Sequence, residues 1–193
     1  DLQLERVHLD PERSTARIGW RGAPLELTLP MAGEHNLHNG CIALAAVLLA
    51  GVGQEAALAA LARFPGVVRR LQTVGEAAGV TVVDDFAHHP TALGVTIAAV
   101  RQRWPGRRVV VAFEPRSISA ARRDFQDGYS RALSTADVAL VAAPYHLRRV
   151  PAEEQLDRGA LAEALEGHGV TAVMPAPGED PVGRTLPHGE TGY

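Results

Sequence analysis

The chain has 193 residues, of which 46% are apolar and 21% are charged, and its formal net charge is −3. This composition is typical of a globular protein with enough apolar residues for a core, and a pI near 6.3 argues against a nucleic-acid-binding surface. All 19 basic residues are arginine, so no reaction step that needs a lysine can be carried out by this chain.

The cysteine content and the hydropathy pattern bear on where the protein is found. The single cysteine excludes an internal disulfide and suits a reducing cytoplasm, where we expect the protein to act. There is no basic-then-apolar leader, and the longest apolar run, residues 41–50, is too short to cross a bilayer. We therefore expect no membrane insertion. The first residue is Asp1 rather than a methionine, so we also expect the chain to be part of a longer polypeptide.

The first third of the chain predicts short strands followed by two helices. Residues 1–29 alternate apolar and polar side chains, which predicts antiparallel strands with a turn at 21–24. An alanine-rich run after Gly33 predicts a helix, and His35, Asn36 and Asn39 lie at its amino end. Either asparagine can cap this helix or pair with the edge of an adenine, and the sequence alone leaves both open.

A second helix is predicted over residues 54–64, and the Pro-Gly pair at 65–66 ends it and marks the best domain boundary. Arg69 and Arg70 follow on a short connector that leads into a hairpin-like segment ending at Val80. Paired arginines are commonly solvated, but a guanidinium on a connector between domains can also reach a phosphate.

Residues 80–90 are the most informative stretch of the chain. The β-branched run 80–83 predicts a buried parallel strand, and polar side chains follow its carboxyl end: Asp84, Asp85, His88 and His89. Ligands of open α/β sheets bind beyond the carboxyl ends of the strands. These acidic groups are therefore suited to bind ribose hydroxyls or a divalent metal, while the alternative is a helix cap with solvated histidines.

The rest of the chain alternates helices with strands, which predicts an α/β fold with a mostly parallel sheet. The predicted helices span 91–103, 121–133 and 158–165, and the predicted strands span 108–113, 137–142 and 170–174. Glu114, Arg116 and Ser117 follow the strand that ends at Phe113, so we expect them to face the same crevice as Asp85. From residue 176 the chain is rich in proline and glycine and is predicted to be an irregular tail.

Three of these stretches, in this order and spacing, resemble the Mur ligases of bacterial cell-wall synthesis: Gly-x-His-Asn-x-x-Asn at 33–39, Arg-Arg-Leu at 69–71, and Asp-Asp-Phe-Ala-His-His-Pro at 84–90. A fourth stretch, Phe-Glu-Pro-Arg-Ser at 113–117, resembles the murein peptide ligases, one branch of that family that acts in peptidoglycan recycling. The branch that adds L-alanine tends to carry Pro-His-Arg at this place. The resemblance covers roughly residues 25–174.

The resemblance implies that residues 1–67 are the C-terminal part of a central ATP-binding domain. Residues 68–175 would form a Rossmann-like C-terminal domain and 176–193 an irregular tail. It also implies an ATP-dependent, cytoplasmic amide-bond ligase that needs magnesium and acts in cell-wall biogenesis, cell shape and cell division. The expected substrates are UDP-N-acetylmuramate and the murein tripeptide L-Ala-γ-D-Glu-meso-diaminopimelate, and the alternative amine is L-alanine.

Residue by residue, the resemblance implies an ATP-binding set and a substrate-binding set. The ATP-binding set is His35, Asn36, Asn39, Arg70 and Asp85. The substrate-binding set is His88, His89, Arg116 and Ser117. No catalytic residue and no metal ligand is expected within this chain. The phosphate loop, the magnesium ligands and the catalytic lysines of the family lie upstream, so we expect the chain to be inactive on its own.

The sequence departs from the family at Gln72, where a glutamate is frequent, and at residues 118–120, where the peptide-ligase branch continues Asn-Thr-Met. Two hypotheses from other classes compete with a ligase. One is a metal-dependent hydrolase built on Asp84, Asp85, His88 and His89. The other is a nucleotide-binding module without catalytic activity.

Overall fold

The structure, a computed structural model, describes residues 2–145 and 147–176. The chain divides into two compact units: residues up to Arg70 together with 98–106, and residues 71–97 together with those from Arg107 onward. The predicted boundary at 65–66 lies shortly before this division. The domain ranges 1–67, 68–175 and 176–193 stay predictions, and the tail from residue 177 lies outside the described residues.

The first unit contains a three-stranded antiparallel sheet, in the order β1-β2-β3, and two helices. The strands are β1 (Leu2–Leu9), β2 (Ser14–Trp20) and β3 (Ala23–Leu29), and the helices are α1 (Glu34–Leu49) and α2 (Gln54–Ala62). The alternation of the sequence places every second side chain of β2 and β3 in a core completed by Leu37, Cys41, Leu44 and Ala57. The predicted antiparallel strands and both predicted helices are therefore confirmed.

The turn between β2 and β3 depends on two residues with left-handed backbone conformation. Trp20 pairs with Ala23, so the loop consists of Arg21 (φ 50°) and Gly22 (φ 83°), the pattern of a type I′ turn. The turn is shorter than the predicted range 21–24, because Pro24 already belongs to β3. Proline is tolerated there because β3 lies at the edge of its sheet.

The second unit contains a two-stranded antiparallel hairpin and a three-stranded parallel sheet. The hairpin is formed by β4 (Gln72–Ala77) and β5 (Val80–Asp84), and the parallel sheet has the order β6-β7-β8, with β6 (Val110–Phe113), β7 (Val138–Val141) and β8 (Thr171–Val173). All four residues of the central strand β7 are buried. The predicted α/β class with a parallel sheet is confirmed.

Three helices accompany this sheet: α3 (Pro90–Arg103), of which the first half belongs to the second unit, α4 (Gln126–Leu133) and α5 (Arg158–Gly167). The helix predicted over 121–133 begins only at Gln126, after a single 3-10 turn at Arg123–Phe125. No helix in the described ranges is long and apolar enough to cross a membrane.

The prediction that residues 80–83 form a buried parallel strand is wrong. β5 pairs with β4 in an antiparallel hairpin, because Ala78 (φ 49°) and Gly79 (φ 77°) form a second two-residue turn that reverses the chain before Val80. Val80 and Val82 are 51% and 53% exposed. A β-branched run favours an extended backbone, but it does not determine which strand becomes its partner.

The turn at Arg21 and Gly22 makes a prediction about stability. We expect Gly22→Ser to lower the free energy of unfolding by about 1 kcal/mol, because an L side chain is strained at this positive φ. A Cβ at Gly22 would meet no atom within 4 Å, so the effect would come from the backbone alone. Urea unfolding followed by tryptophan fluorescence measures it, since Trp20 and Trp104 both belong to the first unit.

The matched control is Gly53→Ser, the same substitution at the N-cap of α2. Gly53 has φ −61° and ψ 137° and equally open surroundings. Serine is a preferred N-cap residue, so this variant should be as stable as the original chain or slightly more stable. Equal losses at Gly22 and Gly53 would contradict the type I′ assignment.

Candidate functional site

The amino end of α1 is organised by Gly33, which is its N-cap residue and has a φ of 96°. An L side chain is strained at this φ, and a Cβ would lie 2.7 Å from Cε1 of His35 and 3.1 Å from Cβ of Ala99, so this position favours glycine. As a glycine, this N-cap residue has no side chain with which to cap the helix. The alternative in which Asn36 or Asn39 caps the helix is therefore wrong, because both lie inside it.

The two asparagines of α1 have different surroundings. Asn36 is 9% exposed and its Nδ2 donates to the carbonyl oxygen of Ala32 at 2.7 Å. Asn39 is exposed and lies one turn after His35, which is half-buried. Residues four apart share a helix face, so His35 and Asn39 form one surface from which the buried Asn36 is excluded.

The connector after α2 carries the paired arginines. The side chains of Arg69 and Arg70 are exposed, and the backbone N–H of Arg70 donates to the carbonyl of Val67 at 3.1 Å. Arg69 (φ 60°) and Leu71 (φ 47°) both adopt the left-handed conformation, which is uncommon for residues other than glycine. The connector therefore holds a strained backbone on both sides of Arg70.

Asp85 stabilises this backbone from within the second unit. Its Oδ2 accepts a hydrogen bond from the N–H of Leu71 at 2.9 Å, and its Oδ1 accepts from the N–H of Ala87 at 2.8 Å and from Oγ1 of Thr96 at 3.2 Å. One carboxylate thus connects the start of β4, the loop after β5 and α3. Each carboxylate offers about four acceptor sites, so Asp85 keeps room for about one further donor.

His88 and His89 lie on the exposed loop between β5 and α3. Nδ1 of His88 lies 3.0 Å from the carbonyl oxygen of Phe86, and Nδ1 of His89 accepts from the N–H of Thr91 at 3.3 Å. The His89 ring packs edge to face against Phe125, with centroids 5.0 Å apart. Both rings are therefore oriented by local contacts.

The metal-dependent hydrolase needs these histidines and both aspartates to converge on one ion. Over residues 2–145 and 147–176, no group of three or more His, Cys, Asp or Glu side chains is arranged to hold a metal. The carboxylate of Asp85 is instead committed to two backbone N–H groups and a hydroxyl. The geometry does not favour that hypothesis.

Tyr129 of α4 holds the loop between β5 and α3, which carries His88 and His89. It is fully buried, and its hydroxyl donates to the carbonyl oxygen of His88 at 2.8 Å. Gly128 permits this approach, since a Cβ there would lie 2.8 Å from Cβ of Pro90. Tyr129 was not among the predicted site residues, although it lies four residues from both Phe125 and Leu133 in a predicted helix, a spacing that indicates a buried helix face.

The loop after β6 presents the other predicted site residues. Pro115 is almost completely buried, while Glu114 and Arg116 on either side of it are exposed. Oγ of Ser117 accepts from the N–H of Ala120 and lies within hydrogen-bond distance of Oγ of Ser119, each at 3.0 Å. The Ser117 hydroxyl therefore stabilises the turn that follows Arg116.

The arginines of this loop differ in their partners. Arg122 pairs with Asp124 at 3.1 Å and Glu154 at 2.8 Å, and Arg123 lies 3.8 Å from Asp157. Among the described residues, no carboxylate lies within ion-pair distance of the Arg116 guanidinium. Within the described residues, neither Glu114 nor Asp124 forms an ion pair with Arg116, and Asp124 pairs with Arg122 instead.

The loop after β7 contributes Tyr145, which the sequence analysis missed. The guanidinium carbon of Arg116 lies 5.4 Å from the centroid of the Tyr145 ring, and that ring is 65% exposed. A Pro-Tyr pair separated by two residues from the end of a buried strand is the sequence signal that could have identified this residue, because the loops that follow strand ends carry ligand-binding residues.

Arg158, at the start of α5, holds the strand ends beneath these loops. Its Nε and Nη2 donate to the carbonyl oxygen of Val141 at 3.2 and 2.7 Å, and Nη2 also donates to that of Pro175 at 2.7 Å. Desolvation lowers the pKa of this guanidinium from its ordinary value. Arg158 is thus a structural tie between the end of β7 and the segment after β8.

The three hydrogen bonds that Asp85 accepts lead to a prediction about stability when its charge is removed. We expect Asp85→Asn to lower the free energy of unfolding of the second unit by about 1–3 kcal/mol, because an amide cannot accept from all three donors. Urea unfolding followed by far-UV circular dichroism measures the loss. Asp127→Asn, at an exposed carboxylate in the first turn of α4, should stay within about 0.5 kcal/mol of the original chain. Equal effects would contradict the structural role of Asp85.

Tyr129 predicts a specific pH dependence. Burial raises the pKa of Tyr129 to about 12, whereas an unfolded tyrosine has a pKa of about 10. The folded state therefore retains this proton more tightly. Its contribution to stability is complete below about pH 10 and is lost as the pH rises toward 12, by at most about 1.4 kcal/mol per pH unit.

We expect the free energy of unfolding of the original chain to fall more steeply between pH 10 and 12 than that of Tyr129→Phe. Chemical unfolding at a series of pH values measures both slopes. Tyr145→Phe, the same substitution at an exposed tyrosine, is the control. A Tyr129→Phe slope equal to the original would show that Tyr129 is not buried as described.

Comparison with known proteins adds relatives that share this architecture. The family described as "Mur ligase, glutamate ligase domain" matches residues 69–178. A UDP-N-acetylmuramate–L-alanine ligase of Chloroflexus aggregans is 45% identical over 73% of this chain and 28% of its own length. The enzyme of the same name from Nitrosomonas europaea is 41% identical over 80% of this chain and 34% of its own length.

Solved structures agree with the fold. A UDP-N-acetylmuramate–alanine ligase from Thermotoga maritima has a TM-score of 0.72 at 23% identity, and covers 90% of this chain and 36% of the solved one. A murein peptide ligase from Psychrobacter arcticus has a TM-score of 0.61 at 28% identity, over 91% of this chain and 36% of the solved one. The chain thus spans about a third of the length of these relatives. On the match over residues 69–178, the chain belongs to the Mur ligase family.

Proposed function

We propose that this chain is the C-terminal portion of an ATP-dependent ligase that joins UDP-N-acetylmuramate to the amino group of L-alanine. The observation that carries this proposal is the identity of 41% over 80% of the chain to an enzyme named as a UDP-N-acetylmuramate–L-alanine ligase. Since the chain spans about a third of such relatives, the activity is that of an intact ligase rather than of this chain alone.

The choice of L-alanine replaces the expectation of a tripeptide substrate. That expectation came from residues 113–117, which resemble murein peptide ligases, and the solved murein peptide ligase is 28% identical. The curated relatives at 45% and 41% identity carry the name of the L-alanine ligase instead. The loop after β6 also favours a small substrate, because Arg122 and Arg123 are engaged and Arg116 matches a single carboxylate.

The residues of this chain would have distinct roles in nucleotide binding. His35 and Asn39 share an accessible face of α1 that suits contact with adenine, and the buried Asn36 would support that helix without touching the ligand. Arg70 is exposed and suits a phosphate. Asp85 retains acceptor capacity for one ribose hydroxyl beyond its three donors.

ATP would supply the phosphoryl group that activates the carboxylate of UDP-N-acetylmuramate. Its phosphates and magnesium need a phosphate loop, a lysine and metal ligands, and this chain contains no lysine. Those groups would come from residues outside the chain. His88, His89 and Arg116 lie on loops of the second unit that suit the substrates, and Ser117 would act by stabilising the turn that presents Arg116.

A ligase assay tests this proposal. The ligase would carry this chain as its C-terminal third, in its own full-length form or joined to the upstream part of the Nitrosomonas europaea relative. We expect L-alanine to give a higher kcat/KM than the tripeptide with UDP-N-acetylmuramate and ATP. Arg116→Gln should raise the KM for L-alanine about ten- to a hundredfold, the cost of a charge-assisted hydrogen bond.

Two controls accompany this assay. The 193-residue chain alone should release no phosphate from ATP, and Arg21→Gln, a change at an exposed arginine of the first unit, should leave the KM for L-alanine unchanged. A preference for the tripeptide would overturn the assignment of the amine. No amide formation with either amine would favour a nucleotide-binding module without catalytic activity.

A further inference from the structure

The loops after β6 and β7 run side by side beyond the parallel sheet. Phe113 and Val141 are the last paired residues of the two strands. The backbone pairing continues past them, since the N–H of Ala142 donates to the carbonyl of Phe113 at 2.9 Å and the N–H of Tyr145 donates to that of Pro115 at 3.3 Å. Tyr145 is therefore held beside Arg116 by backbone hydrogen bonds as well as by the ring contact.

A buried proline precedes each residue of this pair and restricts the backbone there. Pro115, directly before Arg116, and Pro144, directly before Tyr145, are both buried, and each proline fixes its own φ. The two side chains nevertheless point outward, with the Tyr145 ring 65% exposed. Ligands of α/β sheets bind beyond the carboxyl ends of the strands. An exposed aromatic ring at this edge can therefore hold a neighbouring side chain in the orientation that a ligand needs.

The contact between them determines how the guanidinium is presented. A guanidinium over an aromatic ring is attracted to the face of the ring, while its N–H groups remain available at its edge. Those edges are the part of arginine that pairs with a carboxylate through two parallel hydrogen bonds. In the described part of the chain no carboxylate occupies them.

We infer that Tyr145 is a positioning residue that orients Arg116 to bind the carboxylate of the amine substrate. This inference rests on the proposed function for the identity of that substrate. Tyr145 does not contact the reacting amine; it acts through Arg116 by restricting the orientations of the guanidinium. The pair is thus a carboxylate-binding site formed by two adjacent strand-end loops.

The test measures binding to the 193-residue chain, independently of any ligase activity. The Nε–Hε signal of Arg116 in a ¹⁵N-labelled sample is followed while L-alanine is added, and Arg116→Gln assigns that signal. We expect a saturable shift with L-alanine and with acetate, and none with ethylamine, which lacks a carboxylate. Arg21 is an internal control, because it also lies over a ring, 5.3 Å from the centroid of Trp20, and its signal should not move.

Two variants separate positioning from a structural role. Tyr145→Phe keeps the ring and should bind L-alanine as the original chain does. Tyr145→Leu removes the ring and should weaken binding about two- to fivefold, the range expected for an exposed cation–π contact, with an unchanged unfolding midpoint. An Arg116 signal that moves no more than that of Arg21 would overturn the inference, as would equal affinities of Tyr145→Leu and the original chain.

These outcomes are distinct from those of the ligase assay. Carboxylate binding that depends on the Tyr145 ring supports the inference even where the intact ligase prefers another amine. Conversely, a ligase active on L-alanine whose isolated chain shows no response at Arg116 would retain the proposed function and lose the inference.

Discussion

The pairing of β6 with β7 is the constraint on which the second unit depends. Parallel strands end at the same edge of a sheet, so the chain segments after Phe113 and Val141 emerge next to each other. Their backbones remain hydrogen-bonded for several residues beyond the sheet. A polar residue that follows one strand therefore meets a residue that follows the other, and the contact between Arg116 and Tyr145 is a direct result.

A second constraint is the hydrogen bond between Leu71, just before β4, and Asp85, just after β5. Leu71 adopts a left-handed conformation that costs free energy for a residue with a side chain. The carboxylate of Asp85 offsets part of this cost by accepting the Leu71 N–H together with that of Ala87. Strained backbone is found repeatedly at functional positions, and here it lies directly after Arg70, which we propose binds a phosphate.

Three arginines of the second unit have different roles because their side chains have different partners. Arg158 is partly buried and bridges carbonyl oxygens at the strand ends, and Arg122 joins two acidic side chains on the surface. Such surface pairs contribute little to stability. Arg116 differs because its edges are available to a ligand while its face is held over a ring. The partners of each arginine, rather than the residue type, therefore distinguish Arg116, which we propose binds a ligand, from Arg122 and Arg158.

Much of this arrangement could be predicted from local patterns. The alternation in residues 1–29 and the alanine-rich run after Gly33 depend only on side chains close together in the sequence, so the antiparallel strands and the first helix were predicted correctly. The polar residues after Phe113 could be placed on a loop in the same way, while the binding role of Arg116 stays a prediction. The Mur ligase family was recognised from short motifs at 33–39, 69–71 and 84–90, because such motifs keep their residues at fixed spacing. The finer assignment to the peptide-ligase branch depended on five residues and is not favoured by the named relatives.

What the tertiary structure decided concerns partners that are distant in the sequence. A β-branched run is compatible with several pairings, and the turn at Ala78 and Gly79 places β5 against β4 rather than in the parallel sheet. Asn36 is buried and Asn39 exposed because α1 turns only one face toward its sheet. Tyr145 contacts Arg116 although the two residues are 29 positions apart in the chain. Composition and spacing determine which residues can bind; the pairing of strands decides which of them meet, because that pairing joins segments that no local pattern relates.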